Sequence, residues 1–501
     1  MFYFIFYLNN NLKFHLLKKF FSPIFKKFYF YYFLNMLFPL SKRAKGIFSI
    51  ISGVLINIVC GSLNSWSGIN GYFISYLKYS DSPSIEIKDG YFFIPIILFT
   101  TMCASPLAAI INEKIGIKFI SLVSTILIII TNIALYYSTN LTKVYGCMIS
   151  YGVINGMNYM PVIKNCLLYF PHKKGLINGL VLFGYGTSSI IYYSIADYLI
   201  NPSFKQINPS TGFFDKEISF NMKKYLLFFN IFNAIMAIIS FLLLFEYKKN
   251  DNDNDNNINK TNEIIENNLK ENLDNKTEIK EMSKNKEENI ELSVKEAFLQ
   301  AIKGKQLYQL WTMCTVLQVV GFTISNTYRS FAEQCFMEER FLTIITKAYY
   351  ILSGSFRLIW GYLFDKFTFK CLFSICIISQ IIVCFLLYFS INYPFLFLFL
   401  LCLNSIVSAK VSLNITMFTK VYGIKYFGFI YSISTAIGGF THLLGPLIIK
   451  LVIKSVEDYR KLYMGGSIAC IIILIILIRF SEKPFKYKIK KKEKEKELEE
   501  V

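Results

Sequence analysis

Ionisable side chains are scarce in this sequence, and acidic residues are scarcer than basic ones. Charged residues make up 17% of the 501 residues, with 33 Asp and Glu against 53 Lys and Arg, and histidine occurs only 3 times. The long apolar runs contain neither paired carboxylates nor a cluster of His, Cys and Asp, which acid–base catalysis or metal binding would need. The sequence therefore predicts no enzyme, no metal site and no cofactor.

Apolar residues, in contrast, are abundant and come in long runs. Hydrophobic residues make up 54% of the chain, and the mean hydropathy is +0.43. A helix that crosses a bilayer needs about 20 consecutive, mostly apolar residues. Twelve runs meet this description: 46–77, 91–111, 117–137, 144–168, 176–200, 225–245, 307–328, 342–364, 372–391, 394–419, 427–449 and 463–478. We therefore predict an all-α integral membrane protein with twelve transmembrane helices, whose overlong first run tilts or ends before Leu77.

The basic residues lie mainly between the apolar runs and in the two tails. The formal net charge of +20 would by itself also fit nucleic-acid binding. An excess of Lys and Arg in cytoplasmic loops is, however, typical of multi-span membrane proteins. The 11 cysteines are an odd number and lie mostly inside apolar runs, which fits small buried residues. We predict the lipid bilayer as a partner, and no nucleic acid.

The runs fall into two groups of six around a polar segment. We predict an N-terminal extension (1–45), a first six-helix bundle (46–246), a disordered linker (247–305), a second bundle (306–481) and a charged tail (482–501). The linker is rich in Asn, Glu and Lys and has too few apolar residues to form a core, although a helix near residues 293–302 is expected. Because the span count is even, both termini share one side, and the basic turns predict that this side is cytoplasmic.

The N-terminal extension is basic, aromatic and without acidic residues, since the first acidic residue of the chain is Asp81. Three interpretations stay open. It is an organelle-targeting segment, an ordinary cytoplasmic tail, or an extension ahead of a true start at Met36. The sequence accordingly predicts a multi-pass membrane protein without distinguishing the plasma membrane from an organelle membrane.

One short motif occurs twice, in residues 109–118 after the second run and in residues 361–370 after the eighth. Each copy has a small residue, an acid–base pair four residues later and a further base. The acid–base pairs are Glu113 with Lys114, and Asp365 with Lys366. Such a cluster can hold two helix ends together in one conformation and release them in another, so we predict a gating role. The motif resembles the loop motif of the major facilitator superfamily, which implies two six-helix bundles rocking about a central substrate site.

Shorter segments narrow this resemblance. They are residues 61–67, residues 159–186, residues 357–361 and residues 445–446. Together they resemble the oxalate:formate antiporter and monocarboxylate transporter branch. The resemblance implies a monomeric carrier of small organic anions, most simply monocarboxylates such as pyruvate or lactate. The alternative within transport is a carrier of another small metabolite, such as an amino acid or a cation. A membrane receptor or enzyme is the alternative from a different class of protein.

Two departures put the details of that branch in doubt. The antiporters place a lysine in the eleventh run beside a Thr-Ala pair, where this chain has Ile437. Their clamp for dicarboxylates is therefore incomplete unless Lys410 substitutes. Proton-coupled monocarboxylate transporters place an Asp four residues before the arginine of the eighth run, where this chain has Ser353.

Arg357 is the clearest candidate for a substrate ligand. A charge inside the bilayer is costly and usually faces a cavity or a partner, and a guanidinium suits a planar carboxylate. Lys410 is the second candidate, although Asn404 and Ser408 lie on a different arc of a regular helix, so Lys410 need not face the cavity. Further predicted substrate ligands are Tyr350, Asn155, Asn158, Gln318 and Trp66.

The coupling mechanism has few candidate residues. Asp197, near the non-cytoplasmic end of the fifth run, is the one acidic residue in the twelve predicted runs, and His442 is a histidine in the eleventh. Proton-driven carriers commonly use an embedded carboxylate as the relay. Two mechanisms therefore stay open: exchange or facilitated passage of anions without a protein-borne proton, which we favour, or proton transfer at His442.

Overall fold

The computed structural model of the chain describes residues 40–208, 211–247, 292–335, 337–452 and 455–487, and the regular elements of these residues are helices. The predictions for residues 1–35, for most of the linker and for the end of the tail lie outside them. A short helix at Val294–Ile302, capped by Ser293, confirms the helix expected at the end of the linker.

Among the described residues, 9 helical stretches are long and apolar enough to cross a membrane. Two more, the fourth and eighth spans, are 29 and 26 residues long but more polar. One long stretch holds both the tenth and the eleventh span. In order, the spans are Lys42–Tyr79, Phe93–Ile115, Ile117–Tyr136, Leu141–Tyr169, Lys174–Ile200, Lys216–Leu243, Lys305–Gln334, Glu339–Phe364, Phe369–Leu386, Pro394–Ser408 with 411–423, 424–452, and Val456–Arg479. The predicted twelve-helix architecture is confirmed.

The first and tenth spans are interrupted near their middles. In the first, a 3-10 turn at Ser62–Ser65 joins the helices Lys42–Gly61 and Trp66–Tyr79, so this run does not end before Leu77. In the tenth, the helix Pro394–Ser408 ends before Lys410, and Val411–Val452 begins after it. Irregular backbone at membrane depth is tolerated where it is buried in protein or lines a cavity. The two breaks therefore mark the interior of the molecule.

A single glycine separates the tenth span from the eleventh. The long helix Val411–Val452 is interrupted at Gly423, whose φ is 77° and ψ is 156°. Residues with a side chain rarely adopt this backbone conformation, because the Cβ atom crowds the following carbonyl. The chain turns back at this point, which makes two antiparallel spans of one long apolar stretch.

Four spans present isoleucine to the lipid. Side chains at helical spacing on the third, sixth, ninth and twelfth spans are between 42% and 61% exposed in the isolated chain. They are Ile126, Ile130 and Ile133; Ile231, Ile235 and Ile238; Ile375, Ile378 and Ile382; and Ile468, Ile472 and Ile475. Because apolar residues three and four apart share one helix face, each of these spans has one face toward the acyl chains and another toward its bundle.

The two bundles use the same helix pairings. In the first bundle the second span packs on the fourth, the first on the fifth and the third on the sixth. The second bundle repeats this with the eighth on the tenth, the seventh on the eleventh and the ninth on the twelfth. The bundles meet where the second span contacts the eleventh and the fifth contacts the eighth. This is the two-bundle major facilitator fold.

The doubled loop motif makes equivalent contacts in both bundles. The amine of Lys118 donates to a carbonyl near the end of the sixth span at 3.0 Å, and that of Lys370 donates to one at the end of the twelfth at 3.1 Å. Glu246 follows the sixth span and accepts a backbone N–H at the start of the third span at 3.3 Å. Glu482 follows the twelfth span and accepts a backbone N–H at the start of the ninth span at 2.8 Å. The second base of the motif thus fastens the third span to the sixth and the ninth to the twelfth.

Candidate substrate site

A cavity of about 210 Å³ lies between the two bundles. Its walls come from the first, second, fourth, fifth, seventh, eighth, tenth and eleventh spans, and both interrupted spans reach it. The volume is below the range of about 300–1,000 Å³ that holds drug-sized ligands. The cavity therefore suits a small molecule of a few polar groups.

Arg357 reaches this cavity from the eighth span. Its side chain is buried, and its guanidinium carbon lies 4.9 Å from the ring centre of Tyr185 on the fifth span. The Nε atom has no hydrogen-bond partner among the described residues. The phenols of Tyr159 and Tyr349 are also close enough to interact with the charge. A guanidinium stacked on an aromatic face keeps its edge free for a planar anion.

Lys410 lines the same cavity, and its side chain is only 2% exposed. The sequence left open whether Lys410 faces the cavity, and Ser408, which lies on a different arc of a regular helix, lines the cavity as well. The reason is the break between the two helices of the tenth span, which places both residues on one side. Within the described part of the chain, the cavity has two cationic side chains and no carboxylate among its lining residues.

A polar network runs from the cavity wall into the second bundle. The Gln380 amide donates to Asn404 at 3.1 Å, and the Asn404 amide donates to Ser325 at 3.4 Å. Ser325 in turn shares a hydrogen bond of 2.6 Å with the phenol of Tyr349. Such a connected network fixes the orientation of the tyrosine that lies beside Arg357.

Tyr350 lines the cavity as predicted, but its hydroxyl already has a partner. It shares a hydrogen bond of 2.7 Å with Ser67 of the first span, across the boundary between the bundles. Nearer the non-cytoplasmic end, Lys347 of the eighth span pairs with Asp197 of the fifth at 2.7 Å. These contacts join the bundles on the side of the cavity away from the doubled motif, so the role of Tyr350 as a ligand stays a prediction.

The remaining predicted ligands divide between cavity and core. Asn155 and Gln318 line the cavity, whereas Asn158 and Trp66 are not among its lining residues. Asn158 accepts a hydrogen bond from Ser124 of the third span at 3.1 Å, so its amide is used inside the bundle. Trp66 is fully buried against aromatic rings at 4.8 and 6.1 Å, because a large apolar surface packs better in the core.

The predicted coupling residue His442 belongs to the eleventh span, but its side chain is outside the part that the structure describes. Glu339 was not predicted as a member of the eighth span, because the predicted run began at Leu342. This carboxylate lies at the start of the eighth helix and forms a hydrogen-bonded ion pair with Arg329 of the seventh.

The second copy of the motif joins the bundles on the predicted cytoplasmic side. The Asp365 carboxylate accepts the backbone N–H groups of Gly175 and Leu176, both at 3.0 Å, at the start of the fifth span. A carboxylate is favourable there because the helix dipole is positive at its N-terminus. The first copy differs, since Glu113 pairs with Lys164 at 3.2 Å inside its own bundle. Lys366 lies over the ring of Tyr362 at 4.5 Å.

We call the contact of Asp365 with Gly175 and Leu176 the latch. Glycines allow the fifth and eighth spans to approach closely beside it. A Cβ atom on Gly361 would lie 2.9 Å from the Cα of Gly179, and one on Gly179 would lie 3.0 Å from the carbonyl oxygen of Arg357. Real Cβ atoms are almost never that close to backbone. Small residues on facing helices are the usual means of close packing in lipid, and here they bring the helix of Arg357 against the first bundle.

Tyr185 was the main site residue that sequence reasoning missed. Aromatic residues in spans are mostly packing or interface residues, so a tyrosine gives little signal by itself. The flanking Gly184 and Gly186 were the available indication. Gly184 packs on the backbone of Val54 and Gly186 on that of Gly354, which brings the tyrosine between them to the cavity.

The fold and the paired bundles define the class of this protein: it is an integral, multi-pass membrane protein with the major facilitator fold. The xylose symporter XylE has the same fold, with a TM-score of 0.62 at 13% identity, covering 88% of this chain and 97% of that one. A family model described as Major Facilitator Superfamily matches residues 337–500. The fold of both bundles and the match of this family model to the second bundle together support that superfamily.

Two curated relatives are similar in sequence over part of their length. The uncharacterized MFS-type transporter YhjX of Escherichia coli is 25% identical over 153 residues, which are 30% of this chain and 37% of that protein. Apicoplast pyruvate carrier 1 of Toxoplasma gondii is 19% identical over 198 residues, 32% of this chain and 36% of that protein. The chain thus matches little more than a third of the length of either relative.

Proposed function

We propose that this protein is a secondary active or facilitative transporter of small organic anions, most specifically monocarboxylates, and that it works by alternating access. The observation that carries the proposal is Arg357, a buried guanidinium in the central cavity with a tyrosine face behind it and no acidic partner among the described residues. A buried cation without a counter-ion is costly. A substrate carboxylate would supply the missing negative charge.

The second basic group and the size of the cavity support the same class of substrate. With Lys410 also present, the lining residues of the described chain carry positive charge only, which disfavours a cationic substrate. The volume of about 210 Å³ favours an anion of a few carbon atoms. The similarity to a pyruvate carrier adds support, although it covers 32% of this chain.

Alternating access would use the contacts at the two ends of the cavity in turn. Asp365 closes the predicted cytoplasmic end by holding the start of the fifth span. At the other end, Tyr350 with Ser67 and Lys347 with Asp197 join the bundles. Opening either side requires its own set of contacts to break while the other set persists.

A ligand screen on the purified protein tests the proposed substrate class. We expect pyruvate and lactate to raise the melting temperature, because at a hundredfold excess over Kd a ligand stabilises by about 2.7 kcal/mol. Alanine, xylose and choline, which stand for amino acids, sugars and cations, should have no effect at the same concentration. Stabilisation by one of these three without stabilisation by pyruvate or lactate would show that the substrate class is wrong.

A further inference from the structure

Lys410 and Arg357 differ from the other described cations near the bundle interface, because neither has a partner of opposite charge among the described residues. Arg329 pairs with Glu339, Lys347 with Asp197 and Lys164 with Glu113. Lys410, in contrast, is only 2% exposed. Its side chain forms no ion pair and no hydrogen bond with any of the described residues. Its ammonium group would be isolated in the second bundle.

The groups that surround Lys410 do not neutralise it. The nearest are the thiols of Cys314, Cys376 and Cys470 on the seventh, ninth and twelfth spans and the amides of Gln380 and Asn404. The phenols of Tyr349 and Tyr431 and the guanidinium of Arg357 line the same cavity. Thiols and phenols are neutral near pH 7. The one charged member is a second cation, and arginine does not give up its proton in proteins.

An empty cavity with both groups charged therefore holds two positive charges, and no described lining residue balances them. Burying an unpaired charge is strongly unfavourable, and the usual response of an amine is to lose its proton. Because Arg357 stays charged, Lys410 is the group that becomes neutral. An anion bound at Arg357 would bring a negative charge into the cavity and make the ammonium form of Lys410 favourable again.

Given the proposed function, on which this inference rests, we propose that Lys410 is the coupling residue. It takes up one proton together with the substrate anion and releases both on the other side of the membrane. The proton comes from the water of the open cavity and adds to the lone pair of the Lys410 amine, and the reverse transfer returns it to water on the opposite side. This assignment replaces the exchange without a protein-borne proton that the sequence favoured, and it needs no embedded carboxylate.

Charge balance follows directly from this assignment. The empty carrier has one positive charge in the cavity, that of Arg357. The loaded carrier has the charges of Arg357 and Lys410 and one negative charge from the anion, which gives the same sum. Net transport is thus electroneutral. By linkage, the proton raises the affinity for the anion by the same factor by which the anion raises the affinity for the proton.

Proteoliposomes with an imposed pH gradient test the proposal, with labelled pyruvate as the probe. For the wild type, a gradient of about one pH unit should give about tenfold accumulation on the alkaline side, since one proton accompanies each anion. A membrane potential set with potassium and valinomycin should change this accumulation only slightly. Lys461→Gln, at an exposed lysine outside the cavity lining, is the matched control and should accumulate pyruvate like the wild type.

Two substitutions of Lys410 should uncouple the carrier in different ways. Lys410→Gln cannot hold the proton and Lys410→Arg cannot release it, so both should lose acid-driven accumulation and respond to membrane potential. If both variants keep the tenfold accumulation, or if the wild type transports pyruvate without it, the proposal is wrong. The proposed function then still stands, since pyruvate transport itself would be intact.

A binding measurement decides the case even for variants that do not transport. Purified wild-type protein in weak buffer with a pH-indicator dye should take up about one proton for each pyruvate bound, and Lys410→Gln should take up none. Pyruvate binding to the wild type without proton uptake would overturn the coupling role of Lys410. Absence of any pyruvate binding would instead contradict the proposed function.

Discussion

Replacing Arg357 with alanine should abolish uptake of an anionic substrate while the protein still reaches the membrane. The proposed carboxylate would lose two charge-assisted hydrogen bonds of about 1.5–3 kcal/mol each, so uptake should fall by at least about 100-fold. Arg357→Lys should recover little of it, because an ammonium keeps the charge but lacks the planar fork. The measurement is initial uptake of labelled pyruvate, normalised to the amount of protein in the membrane.

Arg460 offers a matched control for this experiment. It is an exposed arginine over the ring of Phe389, outside the central cavity. Arg460→Ala should transport like the wild type. Normal uptake by Arg357→Ala would remove Arg357 from the site, and equal loss in both arginine variants would point to a general effect of lost positive charge.

Replacing Gly361 with valine should block transport by a different route. The new Cβ would lie 2.9 Å from the Cα of Gly179, so the cytoplasmic ends of the fifth and eighth spans could not close. Overpacking of this kind costs about 1–3 kcal/mol, which lowers the population of the closed state and should reduce uptake by about 5- to 140-fold. Gly465→Val is the control, since no atom lies within 4 Å of a Cβ at that glycine.

The labelling rate of a cysteine at the cytoplasmic end of the cavity tests whether Gly361→Val acts by preventing closure. Thr416 of the tenth span accepts a hydrogen bond of 3.0 Å from Asn178 of the fifth, on the same side of the cavity as the latch. A Thr416→Cys reporter, in a background without reactive native cysteines, should react faster with a cytoplasmic thiol reagent once Gly361→Val is added. An unchanged labelling rate together with lost uptake would contradict the gating explanation.

The membrane-spanning pattern was readable from sequence because it depends on local composition. Runs of about 20 apolar residues identify helices whatever their neighbours, and the doubled motif indicated the two bundles. Arg357 was found by the same reasoning, since a charge inside an apolar run needs a special environment. Asn155 and Gln318 followed from the helical spacing of polar residues, which survives where the helix is regular.

The failures occurred where tertiary structure overrides local pattern. The position of Lys410 relative to Ser408 depended on a break in the tenth span that its apolar sequence does not announce. Asn158 and Trp66 were placed in the cavity because their residue types allow it, but packing against the third span and against Phe73 used them elsewhere. The partners of Lys347 and Arg329 lie on other spans or loops, and no spacing rule identifies such pairs.

Counterflow in proteoliposomes tests the central claim most directly, because it needs only the purified protein and an exchangeable substrate. Vesicles preloaded with unlabelled pyruvate should take up labelled pyruvate transiently above its external concentration, and preloading with xylose should give no such overshoot. Protein-free vesicles should show none in either case. An overshoot with xylose and none with pyruvate or lactate would contradict the assignment of this protein as a carrier of small organic anions.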